Sequence, residues 1–420
     1  MKPWTRRIFI TAVAVVVVLC AALFGFRRWG LARLARASEQ FETDVGLLDR
    51  SVFLLPELED GENAATWLLS GAEGVEISEE QGTVLNEALA VPTDEWSPEL
   101  REAVAEFLDS NSTNLSLLER ALPLGDSSYG IRYDEGVHAA KPDLIALRRA
   151  GRLTQLDARF ATLQQDATRL QRDIAILDRL AESLSRESML ITALIAISLD
   201  RLLIETAHGV VLADDVAPEL LKDLRRRLQD RDRAELLRTA VAHEGTMAAT
   251  TPMAELSSVE LDLIDRVLGS AFEPHSAAML LEGYTDLANN LDQPYSAISD
   301  FYYADEAALR SWNTFGMLLP YLLDVIGRVK VYETSRMLAL GAIELRLACL
   351  DRGEYPIDLG SDLYEPYAAG PISYELEDSG ESVLMAPQAI ELWNAESSET
   401  SELGPPPLTW NLPACSSPTA

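Results

Sequence analysis

Residues 156–184 read LDARFATLQQDATRLQRDIAILDRLAESL. Leu156, Phe160, Leu163, Ala167, Leu170, Ile174, Leu177, Ala181 and Leu184 recur at alternating spacings of four and three, an apolar seam four heptads long. Arg159, Gln164, Gln165, Asp166, Arg169, Arg172, Asp173 and Arg179 lie between them, and no Gly or Pro occurs from Arg152 to His208. Such a pattern makes the chain mainly α. It is satisfied equally by one long helix lying along a partner and by two helices reversing near Gln165-Asp166, each with a core face.

The surroundings carry the same signal. Residues 188–207 are rich in Met, Leu and Ile, but Met189 to Leu199 is too short an apolar run to span a bilayer, so a central buried helix ending at Gly209 is expected. Ala217-Pro218-Glu219 starts the next helix, whose triplet Arg225, Arg226 and Arg227 reads as a solvated or internally ion-paired face. Further helices are expected over 231–249 and 257–268, then an aromatic core cluster of Phe301, Tyr302, Tyr303 and Trp312. A long last helix over 318–351 is stopped by Arg352-Gly353. Upstream, 60–71, 78–90, 98–109 and 112–122 read as short helices, with Ser97-Pro98-Glu99 as a capped start. Residues 124–142 form a loop, in which Tyr129, Tyr133 and His138 are expected to pack beneath the chain rather than line a site.

Ile8 to Phe26 is an uncharged run of 19 residues, 12 of them Ile, Val, Leu or Phe. As a helix it is roughly 28 Å long, close to the hydrocarbon thickness of a bilayer. It reads as a transmembrane anchor at 8–26 behind a cytoplasmic N-terminus at 1–7. A cleaved signal fits less well, since the run is long and ends in Phe24-Gly25-Phe26-Arg27-Arg28. Leu19 before Cys20 does not suit a lipoprotein signal. Arg27, Arg28, Arg33 and Arg36, with Trp29, are expected at the lipid head groups in a juxtamembrane segment at 27–59. Lys2, Arg6 and Arg7 precede the run, and a short cationic start commonly stays inside, which places the remainder outside the cytoplasm.

The chain carries 35 Lys and Arg against 67 Asp and Glu, a net of −32. Seven of the basic residues precede Glu39, the first acid, so the rest has 28 basic against all 67 acidic residues, a net of −39. Such a body repels phosphate backbones and anionic lipid, so nucleic-acid binding is not expected. Of three cysteines, Cys20 falls in the apolar run and Cys349 and Cys415 can pair outside the cytoplasm.

After the α-helical domain at 60–352, residues 353–394 change character. Ile372-Ser-Tyr-Glu-Leu-Glu and Glu381-Ser-Val-Leu-Met flank Asp378-Ser379-Gly380, a β-hairpin signal. Residues 395–420, with Pro405-Pro406-Pro407 and clustered Ser and Glu, have disordered composition, though Trp410 and Leu412 can dock locally. Gly353-Glu354-Tyr355-Pro356-Ile357-Asp358-Leu359 and Gly370-Pro371-Ile372-Ser373-Tyr374 resemble the end of uncharacterised single-anchor bacterial proteins. In these a helical domain precedes a Gly-x-Tyr-Pro element and a hairpin; helical pairs like those between Asp143 and Leu228 also occur in them. The resemblance implies no known activity. Those proteins often carry a glycine turn in the heptad region, where this chain has Gln165-Asp166. The Tyr-Pro element also resembles the tail of major pseudopilins, but no acid follows Gly25-Phe26 before Glu39, which departs from the pseudopilin N-terminus.

Motifs for nucleophilic hydrolysis, phosphate loops, zinc proteases, paired cysteines and calcium loops are all missing. His138, His208, His243 and His275 are scattered, and His243-Glu244 has no second histidine four residues on. No catalytic, cofactor-binding or metal-ligating residue is assigned. The expected fold is mainly α: a transmembrane helix, antiparallel helical pairs and a small C-terminal β-hairpin. The expected function is a membrane-anchored, extracytoplasmic interaction or scaffold domain that has a protein partner or associates with itself. The alternatives are a cell-envelope hydrolase using a carboxylate pair and a secretion or assembly component.

Overall fold

A computed structural model describes residues 3–46, 48–59, 61–213, 216–229, 231, 233–250, 263–303, 314–358, 364–377, 379, 381–396 and 407–415. The fold is mainly helical, with a small three-stranded antiparallel sheet near the C-terminus. The described α-helices are α1 (Pro3–Asp44), α2 (Ala64–Glu73), α3 (Glu79–Ala90), α4 (Pro98–Ser110), α5 (Ser112–Glu119), α6 (Leu144–Leu163) and α7 (Ala167–Ser185). They continue with α8 (Leu190–Leu212), α9 (Pro218–Gln229), α10 (Arg233–Thr250), α11 (Leu263–Asn290), α12 (Tyr295–Tyr303), α13 (Thr314–Arg352) and α14 (Pro387–Glu396). The expected start of a helix at Ser257 lies outside the described residues.

The heptad seam is a hairpin. Gln165 takes φ +57°, in the left-handed region. Asp166 N donates to Ala161 O at 2.9 Å and Gln165 N to Thr162 O at 3.1 Å, the paired bonds of a Schellman stop. Asp166 then caps α7 by accepting from Arg169 N at 3.0 Å. Both helices direct the seam inward away from the turn: Leu156, Ile174, Leu177, Ala181 and Leu184 are fully buried, whereas beside the turn Leu163 is half-buried and Ala167 exposed.

Helix α8 packs on α6, α7, α10 and α13 and is mostly buried, as its composition implies, with one half-buried stripe through Leu194, Ser198, Arg201 and Glu205. It does not stop at Gly209. Three more residues follow, since burying Val210 and Val211 outweighs the roughly 1 kcal/mol a helical glycine costs. At the other helix stop the expectation holds: Gly353 takes φ +75° and its N–H returns to Cys349 O at 2.8 Å. Of the expected aromatic cluster, Tyr302 is buried but Phe301 is 59% exposed. Its neighbour packs inward and it points away. The side chain of Tyr303 and all of Trp312 lie outside the described residues.

The sheet has the order β1-β2-β3, from Ser373–Leu376, Ser382–Met385 and Thr409–Leu412. Ser373 pairs with Met385 and Ser382 with Leu412. The expected hairpin is therefore β1-β2, and a third strand comes from the segment read as disordered. That reading followed the average composition. The inward alternation of Trp410 and Leu412, both buried, decides the local outcome. Tyr355 donates to Pro413 O at 2.8 Å, Ser335 donates to Pro407 O at 2.9 Å, and Cys415 is disulfide-bonded to Cys349 of α13.

Helix α1 is long and apolar enough in its first part to cross a membrane, by length and composition. Val15, Val17, Val18, Leu19 and Phe24 are all exposed. The same helix then enters the core: Ala37 and Phe41 are buried. A Cβ on Gly245 of α10 would lie 2.6 Å from the Phe41 ring, so the glycine is what lets α10 approach. The segment expected as juxtamembrane is thus partly a core element.

Candidate functional site

Three polar clusters inside the helical body are the places where chemistry could occur. The first lies inside the hairpin. Asp157 of α6 and Asp173 of α7 are both fully buried. Each is eight residues from Gln165, so the turn brings them face to face. Arg169 and Arg172 cover them. Arg172 Nη2 donates to Asp173 Oδ1 at 2.7 Å, and both arginines pair with Asp157. Burial, then repulsion from Asp157, pushes the Asp173 carboxyl up to about 8, against the opposing pull of Arg172. Asp173 is therefore held protonated at neutral pH, beside the arginine-paired Asp157.

The second is an arginine–carboxylate network joining α7, α8, α9 and α10. Asp200, fully buried on α8, pairs with Arg231 and, at 2.5 Å, with Arg233 Nε. Asp178 pairs with Arg227 and Arg231. Asp223 takes Arg227 at 2.8 Å and Arg226 at 2.6 Å. The triplet Arg225–Arg227 is internally ion-paired, the third contact being Arg225 to Glu344 at 2.9 Å. A polar cleft of about 480 Å³ opens on this network, lined by Asp178, Glu182, Arg226, Arg231, Arg233 and Glu235 among others. Its carboxylates are all engaged: Glu182 by Arg179 and Arg186, and Glu235 by Arg238 at 2.8 Å.

The third cluster lies under the 124–142 loop. Glu187 is buried. It accepts from Tyr129 N at 2.9 Å and from Tyr133 Oη at 2.5 Å. Tyr129 Oη and Ser183 Oγ are 2.8 Å apart. Burial raises the Glu187 carboxyl, and the bonds from Tyr133 and the Tyr129 backbone work against that rise. Tyr133 and Phe53 meet the ring of His243 edge-on at 4.9 and 5.0 Å. His243 is buried with neither ring nitrogen bonded among the described residues, and burial, then Arg50 and Lys141, depresses it to about 4. Tyr129 and Tyr133 thus fasten the loop down. The side chain of His138 lies outside the described residues.

The carboxyl pair at Asp157 and Asp173 does not line the cleft, and the carboxylates that do line it, Asp178, Glu182 and Glu235, are each ion-paired. Among the described residues no group of three or more His, Cys, Asp or Glu could hold a metal ion. Sequence reasoning missed both the aspartate pair and the Asp200 clamp. Asp157 and Asp173 sit one place off the seam, like any solvated flank, and only the position of the turn makes them symmetric partners. The chain matches no family model, no curated protein and no solved structure.

Proposed function

We propose that the protein is a membrane-anchored interaction or scaffold domain, held outside the cytoplasm by one N-terminal span. The observation that carries this reading is α1: its apolar first part is bare, and the same unbroken helix continues into the core at Ala37 and Phe41. A soluble protein rarely leaves so large an apolar surface open. The Cys349–Cys415 disulfide supports the extracytoplasmic side, where such bonds persist. The ion-paired state of the cleft carboxylates supports a structural rather than an acid–base role for them. Net charge favours a basic partner surface, with attraction that weakens in salt.

Alkaline extraction of membranes, followed by protease treatment of intact cells and of lysed cells, tests the reading. The expected result is retention in the pellet and digestion of the body only once the outer barrier is opened. Release into the soluble fraction refutes it. Chemical cross-linking in the native membrane then identifies a partner or a second copy. The hydrolase alternative has the cleft as its support, and it requires Asp178→Asn or Glu235→Gln to abolish a hydrolytic activity while leaving the melting temperature near that of the wild type.

A further inference from the structure

The end of the apolar run coincides with the foot of the domain. Phe26, its last residue, packs on Phe272 of α11, ring centroids 4.7 Å apart, and on His275 at 5.5 Å. One turn on, Trp29 stacks on His275 at 4.8 Å. Gly30 allows this approach: a Cβ there would lie 3.2 Å from His275 N and 3.4 Å from Pro274 Cβ. Next, Arg33 Nε donates to Glu282 at 2.8 Å. Arg33 was expected at the head groups; it is instead held by a carboxylate of the domain. Contacts advance together along both helices, from Phe26 with Phe272 to Arg33 with Glu282, so α1 and α11 run side by side in the same direction.

This geometry leaves no linker. A helix cannot bend freely between Phe26 and Phe41, about 22 Å apart along its axis. Phe272, nine residues into α11, lies at the level where the apolar run gives way to Arg27 and Arg28, both exposed. At that level Phe272 is 47% and Trp29 49% exposed. Aromatic rings beside arginines at the end of an apolar span have the chemistry of a head-group belt.

We infer that the foot of the domain, where α11 meets α1 at Phe272 and His275, is immersed in the head-group layer of the bilayer, with Phe272 and Trp29 as its anchors. The body is thus seated on the membrane at a fixed angle and does not swing from a tether. The inference rests on α1 being a membrane span. The acidic body above the seat faces away from anionic lipid, and the basic foot faces it.

The test uses the full-length protein with Cys20→Ser, the Cys349–Cys415 bond kept oxidised, and a nitroxide label placed in turn at Val18→Cys, Phe272→Cys and Ile357→Cys. Each is reconstituted in vesicles of phosphatidylcholine and phosphatidylglycerol, and accessibility to oxygen and to a water-soluble nickel chelate is read by electron paramagnetic resonance. Ile357, 89% exposed and far along the chain, is the aqueous reference. The expected result is oxygen-dominated accessibility at 18, and nickel accessibility at 272 reduced several-fold relative to 357. A label at 272 that matches 357 while 18 is in lipid overturns the seating and leaves the anchor intact. Water-like behaviour at 18 overturns the anchor and the seating with it. Phe272→Trp supplies a second readout should the cysteine variant fail to fold: shallow brominated lipid is expected to quench the added tryptophan, and emission identical to the unquenched state overturns the seating.

Discussion

Replacing Asp173 with Asn removes one titration from the core and leaves the shape nearly unchanged. In the folded protein the Asp173 carboxyl is raised to about 8, whereas in the unfolded chain it lies near the ordinary value of about 3.9. The folded state therefore holds one more proton across this window. The stabilisation is complete below the unfolded value and is lost as pH rises toward the folded one. Across the window the loss is on the order of 3 kcal/mol between pH 5 and 7. The Asn side chain resembles the protonated acid: it is neutral and has an N–H to offer Asp157. Asp173→Asn should therefore become more stable relative to the wild type as pH rises. His243 titrates in both proteins alike, so the difference between them isolates Asp173. At about 2.1 cal/mol/K of unfolding entropy per residue, a loss of that order is worth roughly 3–4 °C in a body of this size. The assay is thermal unfolding of the full-length protein in detergent at pH 5, 6 and 7. Parallel melting curves for variant and wild type, with a constant offset, would refute the reasoning and show Asp173 ionised throughout.

Four other outcomes follow from the same structure. Gln165→Val puts a β-branched side chain at φ +57° and should cost about 1–2 kcal/mol by chemical unfolding, whereas Gln165→Gly should cost nothing or stabilise. His243 is depressed to about 4, so its contribution is present above the unfolded value of about 6.5 and is lost as pH falls toward 4; His243→Phe should flatten that acid limb of melting temperature against pH. Glu365 is buried and accepts from Tyr367 N at 2.6 Å, Ala368 N at 2.9 Å, Gly370 N at 3.1 Å and Thr334 Oγ1 at 2.8 Å; Glu365→Ala should cost about 3 kcal/mol and expose the loop to proteolysis. Cys415→Ser opens a bond closing a sequence separation of 66 residues and should lower stability by about 4 kcal/mol on the chain-entropy model, with β3 showing the earliest amide exchange.

The sequence by itself determined the elements whose signal is periodic or local. Apolar spacing of three and four yields helices at any tertiary setting, and the Ser97-Pro98 start and Gly353 stop act within one turn of the backbone. The 19-residue apolar run is legible for the same reason, since length and hydropathy are sums over neighbours. Tertiary structure decided what depends on which distant residues meet. A seam that keeps its phase through a turn does not decide between one helix and two, and with Gln165 rather than glycine in the left-handed position Gln165-Asp166 offers a place for the reversal without requiring it. Only the reversal turns Asp157 and Asp173 from two surface-like flanks into one buried acid pair. The same holds for Trp410, whose strand exists because β2 and α13 offer an edge and a cavity, against a composition that argues for disorder. It holds also for Arg33, which local charge assigns to lipid and which Glu282, 249 residues away, takes for the domain.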